Sequence, residues 1–133
     1  MNMKANELMI GDWVRHANGT PMQVEKIDYR GFACGIPHCW DYNNIYEPIP
    51  ITKELLEKNG FVRENLITSY NHYTGIDNRV CLTNDFYSMN SRNMWTAHID
   101  SEDYCTIANC ELTYLHELQH LLKLCNIDFE FDV

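Results

Sequence analysis

The sequence contains no apolar run approaching the roughly 20 residues that a membrane-spanning helix needs. Its first ten residues also lack the basic start and apolar middle that are typical of a secretory signal peptide. We therefore expect a cytoplasmic protein without membrane attachment. Because that compartment keeps thiols reduced, we expect the six cysteines to be free thiols rather than a disulfide framework.

Positive charge is also scarce. The chain carries 10 Lys and Arg against 19 Asp and Glu, a formal net charge of −9. Nucleic-acid binding depends on clustered positive charge, so a nucleic acid is not the expected partner. An acidic chain can instead imitate nucleic acid and occupy the basic groove of another protein, so an acidic mimic stays open as an alternative function.

The first part of the chain has the pattern of a small antiparallel sheet. Asn18-Gly19 separates two strand-like stretches, and this pair favours a two-residue type I′ hairpin turn. Further strands are predicted at residues 32–36 and 40–42. Short strands joined by tight turns predict an SH3-like β lobe over residues 1–47.

A second lobe is predicted over residues 51–133, after an extended connector that contains Pro48 and Pro50. Thr52 is the expected cap of a short helix at 53–58, which Asn59-Gly60 ends. Five strand-like pieces separated by polar turns then predict an antiparallel meander. These pieces lie at 68–73, 79–82, 86–89, 95–99 and 104–107.

A strongly periodic segment at residues 110–125 predicts the longest helix, with Asn109 as its cap and Asn126 as its stop. We expect it to cover one face of the meander, and a last extended piece at 127–131 to pair at a sheet edge. The predicted fold is a single compact α+β unit: a small SH3-like antiparallel β lobe followed by an antiparallel β meander covered by one long C-terminal helix.

The long helix carries His116-Glu117-Leu118-Gln119-His120, the HExxH pattern of zinc peptidases. In those enzymes two histidines one helical turn apart bind the metal, and the glutamate activates the metal-bound water. The helical spacing, however, places His116 and His120 on the arc opposite the apolar residues, which predicts that they face solvent. The apolar arc consists of Tyr114, Leu115, Leu118, Leu121, Leu122 and Cys125.

A catalytic zinc also needs a third protein ligand. Lys123 and Asn126 stand where the extended motif has glycine and histidine, so the ligand would have to come from upstream, for instance from His72 or His98. Zinc is therefore an alternative cofactor rather than the expected one.

The cysteines leave two further alternatives open. Four of them could form a structural zinc site, although free cysteine is often simply a small buried apolar residue. A Cys-His nucleophile pair needs its partners to meet only in space, and no local motif singles out one cysteine. The four candidate zinc ligands are Cys34, Cys39, Cys105 and Cys110.

Three stretches carry a resemblance: residues 8–14 (LMIGDWV), 48–52 (PIPIT) and 114–119 (YLHELQ). In their order and spacing they resemble a group of small proteins encoded in prophages and mobile elements of anaerobic gut bacteria, a group with no established activity. Members of that group commonly carry Asn where this chain has His120. The resemblance implies that a two-histidine metal site is not their shared purpose.

The function expected from these patterns is that of a non-enzymatic accessory protein of a phage or mobile element, acting on an unidentified protein partner. The candidate binding residues are Trp13, Phe32 and Trp40 in the first lobe and Tyr73 and Trp95 on the meander. The main alternative is a zinc-dependent hydrolase with His116 and His120 as ligands and Glu117 as general base. The patterns leave the oligomeric state open.

Overall fold

The computed structural model describes residues 7–28, 31–34, 46–64, 69–74, 78–84, 94–101 and 106–133. The chain divides into two compact units. The first unit contains Met1–Ile49 and Tyr114–His120, and the second contains Pro50–Thr113 and Leu121–Val133. The last long helix therefore contributes its first part to one unit and its last part to the other.

The first unit is built on a four-stranded antiparallel sheet in the order β3-β2-β1-β4. A bulge between Val24 and Lys26 bends β2, and the sheet is curled. The expected curled antiparallel sheet is thus present, while the predicted strand at 40–42 lies outside the described residues. The strands are β1 (Trp13–His16), β2 (Pro21–Asp28), β3 (Gly31–Cys34) and β4 (Tyr46–Pro48).

The hairpin between β1 and β2 forms where it was expected, but its turn is of another type. Only Gly19 of the Asn18-Gly19 pair has a positive φ, of 92°. The amide of Gly19 donates to the carbonyl of His16 (2.8 Å), and the amide of His16 donates to the carbonyl of Thr20 (2.9 Å). The loop therefore has three residues and ends on a left-handed glycine, instead of the two-residue type I′ turn.

The second unit begins with helix α1 (Lys53–Lys58), which has the predicted bounds. The side chain of Thr52 accepts from the amide of Leu55 (3.2 Å) and caps it, and Gly60 with a φ of 84° follows its end. Five antiparallel strands then form a sheet in chain order, as a meander requires. They are β5 (Val62–Glu64), β6 (Ser69–Thr74), β7 (Asn78–Thr83), β8 (Trp95–Asp100) and β9 (Thr106–Leu112).

Four predictions for this unit are wrong or concern residues outside the described part. The long helix α2 spans Leu115–Leu124, so it begins five residues later than predicted, because residues 110–112 belong to β9 and pair with β8. Asn109, the predicted cap of the helix, lies within β9 and pairs with His98. Asn126 does stop the helix, with a φ of 58°. Within the described part, the tail at 127–131 forms no strand, and the predicted strand at 86–89 is not described.

The two faces of the five-stranded sheet differ in character. Directly opposite residues of an antiparallel pair lie on the same face, so the strand pairings assign each side chain to one face. One face is buried and apolar and carries Tyr70, Val80, Leu82, Trp95, Ala97 and Ile99. The other, the polar face, carries Ser69, Asn71, Arg79, Cys81, Thr83, Thr96, His98, Asp100 and Asn109. In the described segments, no helix is long and apolar enough to cross a membrane.

Candidate functional site

The HExxH residues of helix α2 are not arranged on a solvent-facing side. Leu115, Leu118 and Leu122 are buried, as the apolar arc predicted. His116 is buried as well, with 7% of its surface exposed, and the expectation that it faces solvent is wrong. The start of the helix is therefore covered on more than one side.

The side chain of Gln119 contacts the segment that covers the polar side of the helix at its start. Its Oε1 atom accepts from the amide of Trp13 (2.9 Å), and its Nε2 atom donates to the carbonyl of Gly11 (3.0 Å). The helix is thus joined to the chain entering β1 by a pair of hydrogen bonds to the backbone. Periodicity could not reveal this contact, because a polar residue that binds a backbone occupies a polar position in the pattern.

Asp12 lies beneath this contact and is completely buried (0% exposed). Its Oδ2 atom accepts from the amide of Met9 (2.7 Å) and lies 2.6 Å from Nε2 of His120. A carboxylate oxygen accepts here from the tautomer of His120 that carries its proton on Nε2. The nitrogen that would bind a metal in the HExxH pattern is therefore engaged by a carboxylate.

The surroundings of His116 favour its neutral form. Burial lowers its pKa below the ordinary value of 6.5, although Asp12 and Glu117 pull in the opposite direction. Its ring stacks on that of Tyr114 at a centroid distance of 6.0 Å and meets the ring of His120 edge-on at 5.7 Å. Nδ1 of His116 and Oδ1 of Asp12 are buried without a hydrogen-bond partner among the described residues.

Glu117, the candidate general base, has a local structural role. Its Oε1 atom accepts from the amide of Tyr114 (2.9 Å), the residue just before the first residue of α2. This is the glutamate half of a capping box, which satisfies a backbone donor that the helix itself leaves open. The contact occupies one of the two oxygens that a general base would use. Across the described ranges, no three His, Cys, Asp or Glu side chains are grouped so as to hold a metal ion.

The carboxylate of Asp12 also shapes the turn that precedes β1. The amide of Asp12 donates to the carbonyl of Met9 (3.1 Å), and Gly11 has a φ of 94°, as the third position of a type II turn requires. The amide of Gly11 donates to the carbonyl of Val24 (2.7 Å). At the tip of this fixed turn, Met9 is 42% and Ile10 is 61% exposed. We call residues 9–12 the display turn.

The predicted aromatic binding residues do not gather on an exposed surface. Phe32 belongs to the core of the first unit and Trp95 to that of the second, so neither presents its ring to a partner. Trp13 is half-buried, and its indole N–H is buried without a partner in the described part of the chain. Trp40 and the side chain of Tyr73 lie outside the described residues.

A second polar cluster lies on the polar face of the sheet in the second unit. Cys81 pairs directly with Asn71 on one neighbouring strand and with His98 on the other. Nε2 of His98 lies 2.7 Å from Oδ1 of Asp100, whose Oδ2 accepts from Arg79 at 2.6 and 3.1 Å. Burial alone would raise the pKa of Asp100, but the hydrogen bond from Arg79 and the charge of His98 outweigh it and lower that pKa.

Sequence reasoning did not identify Asp12, Gln119 or Asp100 as parts of a site. Asp12 is more than a hundred positions from its partner His120, and nothing local to either residue indicates the pairing. Asp100 ends β8 and is buried, and no local pattern in the sequence indicates its contacts. The alternation of side chains along a strand does not show which residues of two strands share a face. Cys81 and His98 could have been placed on one face only with knowledge of the strand register.

The chain matches no family model, no curated protein and no solved structure.

Proposed function

We propose that the protein is an accessory protein that acts by binding another protein through the display turn, a role that needs no reaction at that turn. The observation that carries this proposal is the exposure of Met9 and Ile10 on a turn whose backbone is held in place. Two large apolar side chains in water gain free energy when a partner covers them, at roughly 25 cal/mol per Å² of apolar surface. A turn that is already fixed loses little conformational entropy on binding.

The contacts of the HExxH residues support the same proposal. Glu117 caps helix α2, Gln119 joins it to the backbone at Gly11, and His120 binds Asp12. Each of these side chains thus has a contact that explains its presence without a reaction. Gln119 holds the display turn directly, and His120 holds it through Asp12.

The expected partner is a protein with an apolar pocket surrounded by basic side chains. The pocket would receive Ile10 and Met9, and the basic rim would complement the net charge of −9. The resemblance to proteins of prophages and mobile elements is in keeping with such a role. The acidic-mimic alternative needs a long contiguous acidic face, whereas this proposal needs only two apolar side chains.

The test compares two charge-introducing variants at exposed apolar positions. Ile10→Glu changes the display turn, and Val62→Glu changes a residue of β5 that is also exposed. Each protein is immobilised and exposed to extract from cells that naturally carry the gene, and bound proteins are quantified by mass spectrometry. We expect Ile10→Glu to lose a protein that the wild type and Val62→Glu both retain. Equal retention by Ile10→Glu would contradict the proposal.

The zinc-dependent hydrolase is a second candidate because the HExxH pattern and a buried carboxylate lie side by side. The described side chains are not grouped for a metal ion as they stand, so Asp12, whose Oδ1 has no partner in the described residues, would have to turn away from His120 to become a third ligand. Metal analysis of untagged protein, with His120→Ala as the comparison, tests this candidate. Stoichiometric zinc that the variant loses would favour the hydrolase over the accessory protein.

A further inference from the structure

The polar face of the five-stranded sheet brings a thiol, an imidazole and a carboxylate together in the second unit. Cys81 on β7 and His98 on β8 are directly opposite each other. Such residues share a face and have Cβ atoms about 4.5–5.5 Å apart. With Cβ atoms at that spacing, a rotation of the Cys81 side chain turns its thiol towards the imidazole of His98. In the structure the thiol contacts the hydroxyl of Thr83 at 3.7 Å.

The imidazole of His98 is oriented through one of its nitrogens. Nε2 lies 2.7 Å from Oδ1 of Asp100 and 3.0 Å from the hydroxyl of Thr106. Nδ1 is then the nitrogen left to accept a proton. Arg79 holds the other oxygen of Asp100 with two hydrogen bonds, so the carboxylate cannot easily turn away. This is the order of a nucleophile, a base and an orienting carboxylate.

Asn71 provides an independent indication of a ligand. It is directly opposite Cys81 on the other side, it is 2% exposed, and its Oδ1 has no hydrogen-bond partner in the described part of the chain. A buried amide oxygen without a partner costs free energy, on the order of 1–3 kcal/mol. A ligand with an N–H group next to the thiol would remove that cost.

We propose that Cys81 is a nucleophile for acyl transfer, with His98 as its base and Asn71 as the residue that binds the substrate. The substrate class is an ester or thioester of an N-acylated amino acid, because its amide N–H can donate to Oδ1 of Asn71. Asp100 is a positioning residue that acts through His98. This activity goes beyond the proposed binding function and involves other residues.

The reaction balances without any further reagent. Nδ1 of His98 takes the thiol proton while Sγ of Cys81 attacks the acyl carbon and forms a C–S bond. The bond from that carbon to the leaving oxygen or sulfur breaks, and the leaving group takes the proton from His98. Water, deprotonated by the same imidazole, then attacks the thioester, releases the carboxylic acid and restores the thiol.

The experiment measures acylation of the full chain by two matched esters. One is the p-nitrophenyl ester of N-acetylglycine, and the other is that of levulinic acid, in which a CH₂ group replaces the N–H. Peptide mass spectrometry follows Cys81, with Cys110 as the reference thiol in the same molecule. We expect Cys81 to be acylated at least about tenfold faster than Cys110 by the N-acetylglycine ester, and more slowly by the levulinate ester. Equal rates at the two thiols would overturn the nucleophile, and equal rates with the two esters would overturn the role of Asn71.

Variants at His98 and Asp100 separate chemistry from folding. His98 is partly exposed, so His98→Gln should fold, and it should slow acylation of Cys81 by about 100-fold, the usual share of a general base, without changing Cys110. Asp100→Asn should move the inflection of the pH–rate profile of Cys81 to lower pH, because the imidazolium loses its carboxylate. An unchanged rate in His98→Gln, or an unchanged profile in Asp100→Asn, would contradict the assignment.

Discussion

Nε2 of His120 lies 2.6 Å from Oδ2 of Asp12, although the two residues are 108 positions apart in the sequence. The same oxygen accepts from the amide of Met9, so one buried carboxylate joins helix α2 to the display turn. Because a buried carboxylate is stable only when it is paired and hydrogen-bonded, both partners are needed for this part of the fold.

A double-mutant cycle at this pair measures that coupling. Asp12→Asn keeps the shape but loses the charge, and we expect it to lower the free energy of unfolding by about 1–3 kcal/mol. Combined with His120→Ala, the loss should be smaller than the sum of the two single losses. Denaturant titration supplies the values. Asp128→Asn, a change at an exposed carboxylate, is the control and should alter stability by less than about 0.5 kcal/mol. Additive single effects would show that the contact is not formed in solution.

Gln119→Ala should destabilise the protein by about 1–3 kcal/mol, because the amide of Trp13 and the carbonyl of Gly11 both lose a partner. Gln23 offers a matched control, since its side chain donates to the same carbonyl of Gly11 at 3.2 Å but is exposed. We expect Gln23→Ala to change the thermal midpoint little. A similar loss in both variants would mean that burial of the Gln119 contact is not what matters.

The free energy of unfolding should fall as the pH drops below about 6.5. Burial lowers the pKa of His116 in the folded protein, so the unfolded chain takes up the proton first and gains stability relative to the folded state. Burial lowers the pKa of His72 in the same direction. Denaturant titrations between pH 7.5 and about 5 should therefore show a positive slope of stability with pH that His116→Gln reduces. A slope that neither His116→Gln nor His72→Gln changes would contradict this origin.

Gly11→Ala tests whether the display turn must be fixed for binding. An L-residue at a φ of 94° is strained, and we expect a loss of about 1–2 kcal/mol. Gly19→Ala introduces similar strain at the other end of β1, where a Cβ atom would meet nothing within 4 Å. Only Gly11→Ala should weaken binding to the partner that Ile10 recognises. Equal loss of binding in the two variants would indicate a general effect of stability.

The sequence by itself determined the local structure. The cap at Thr52, the stop at Asn126 and the hairpin at Asn18-Gly19 were predicted because each depends on the conformational preferences of a few adjacent residues. The burial of Leu115, Leu118 and Leu122 followed from helical spacing in the same way. The start of α2 was misplaced because an apolar alternation in residues 110–112 also fits the first turn of a helix.

Only the tertiary structure decided which polar residues meet. Gln119 and His120 occupy polar positions of the helix, and their partners Gly11 and Asp12 lie more than a hundred residues earlier. Cys81 and His98 became neighbours through strand register, where a shift of one residue would put the two side chains on opposite faces. The hydrophobic periodicity of a sequence describes one helix or strand at a time. A contact between two elements also depends on where the second element lies, and periodicity gives no information about that position.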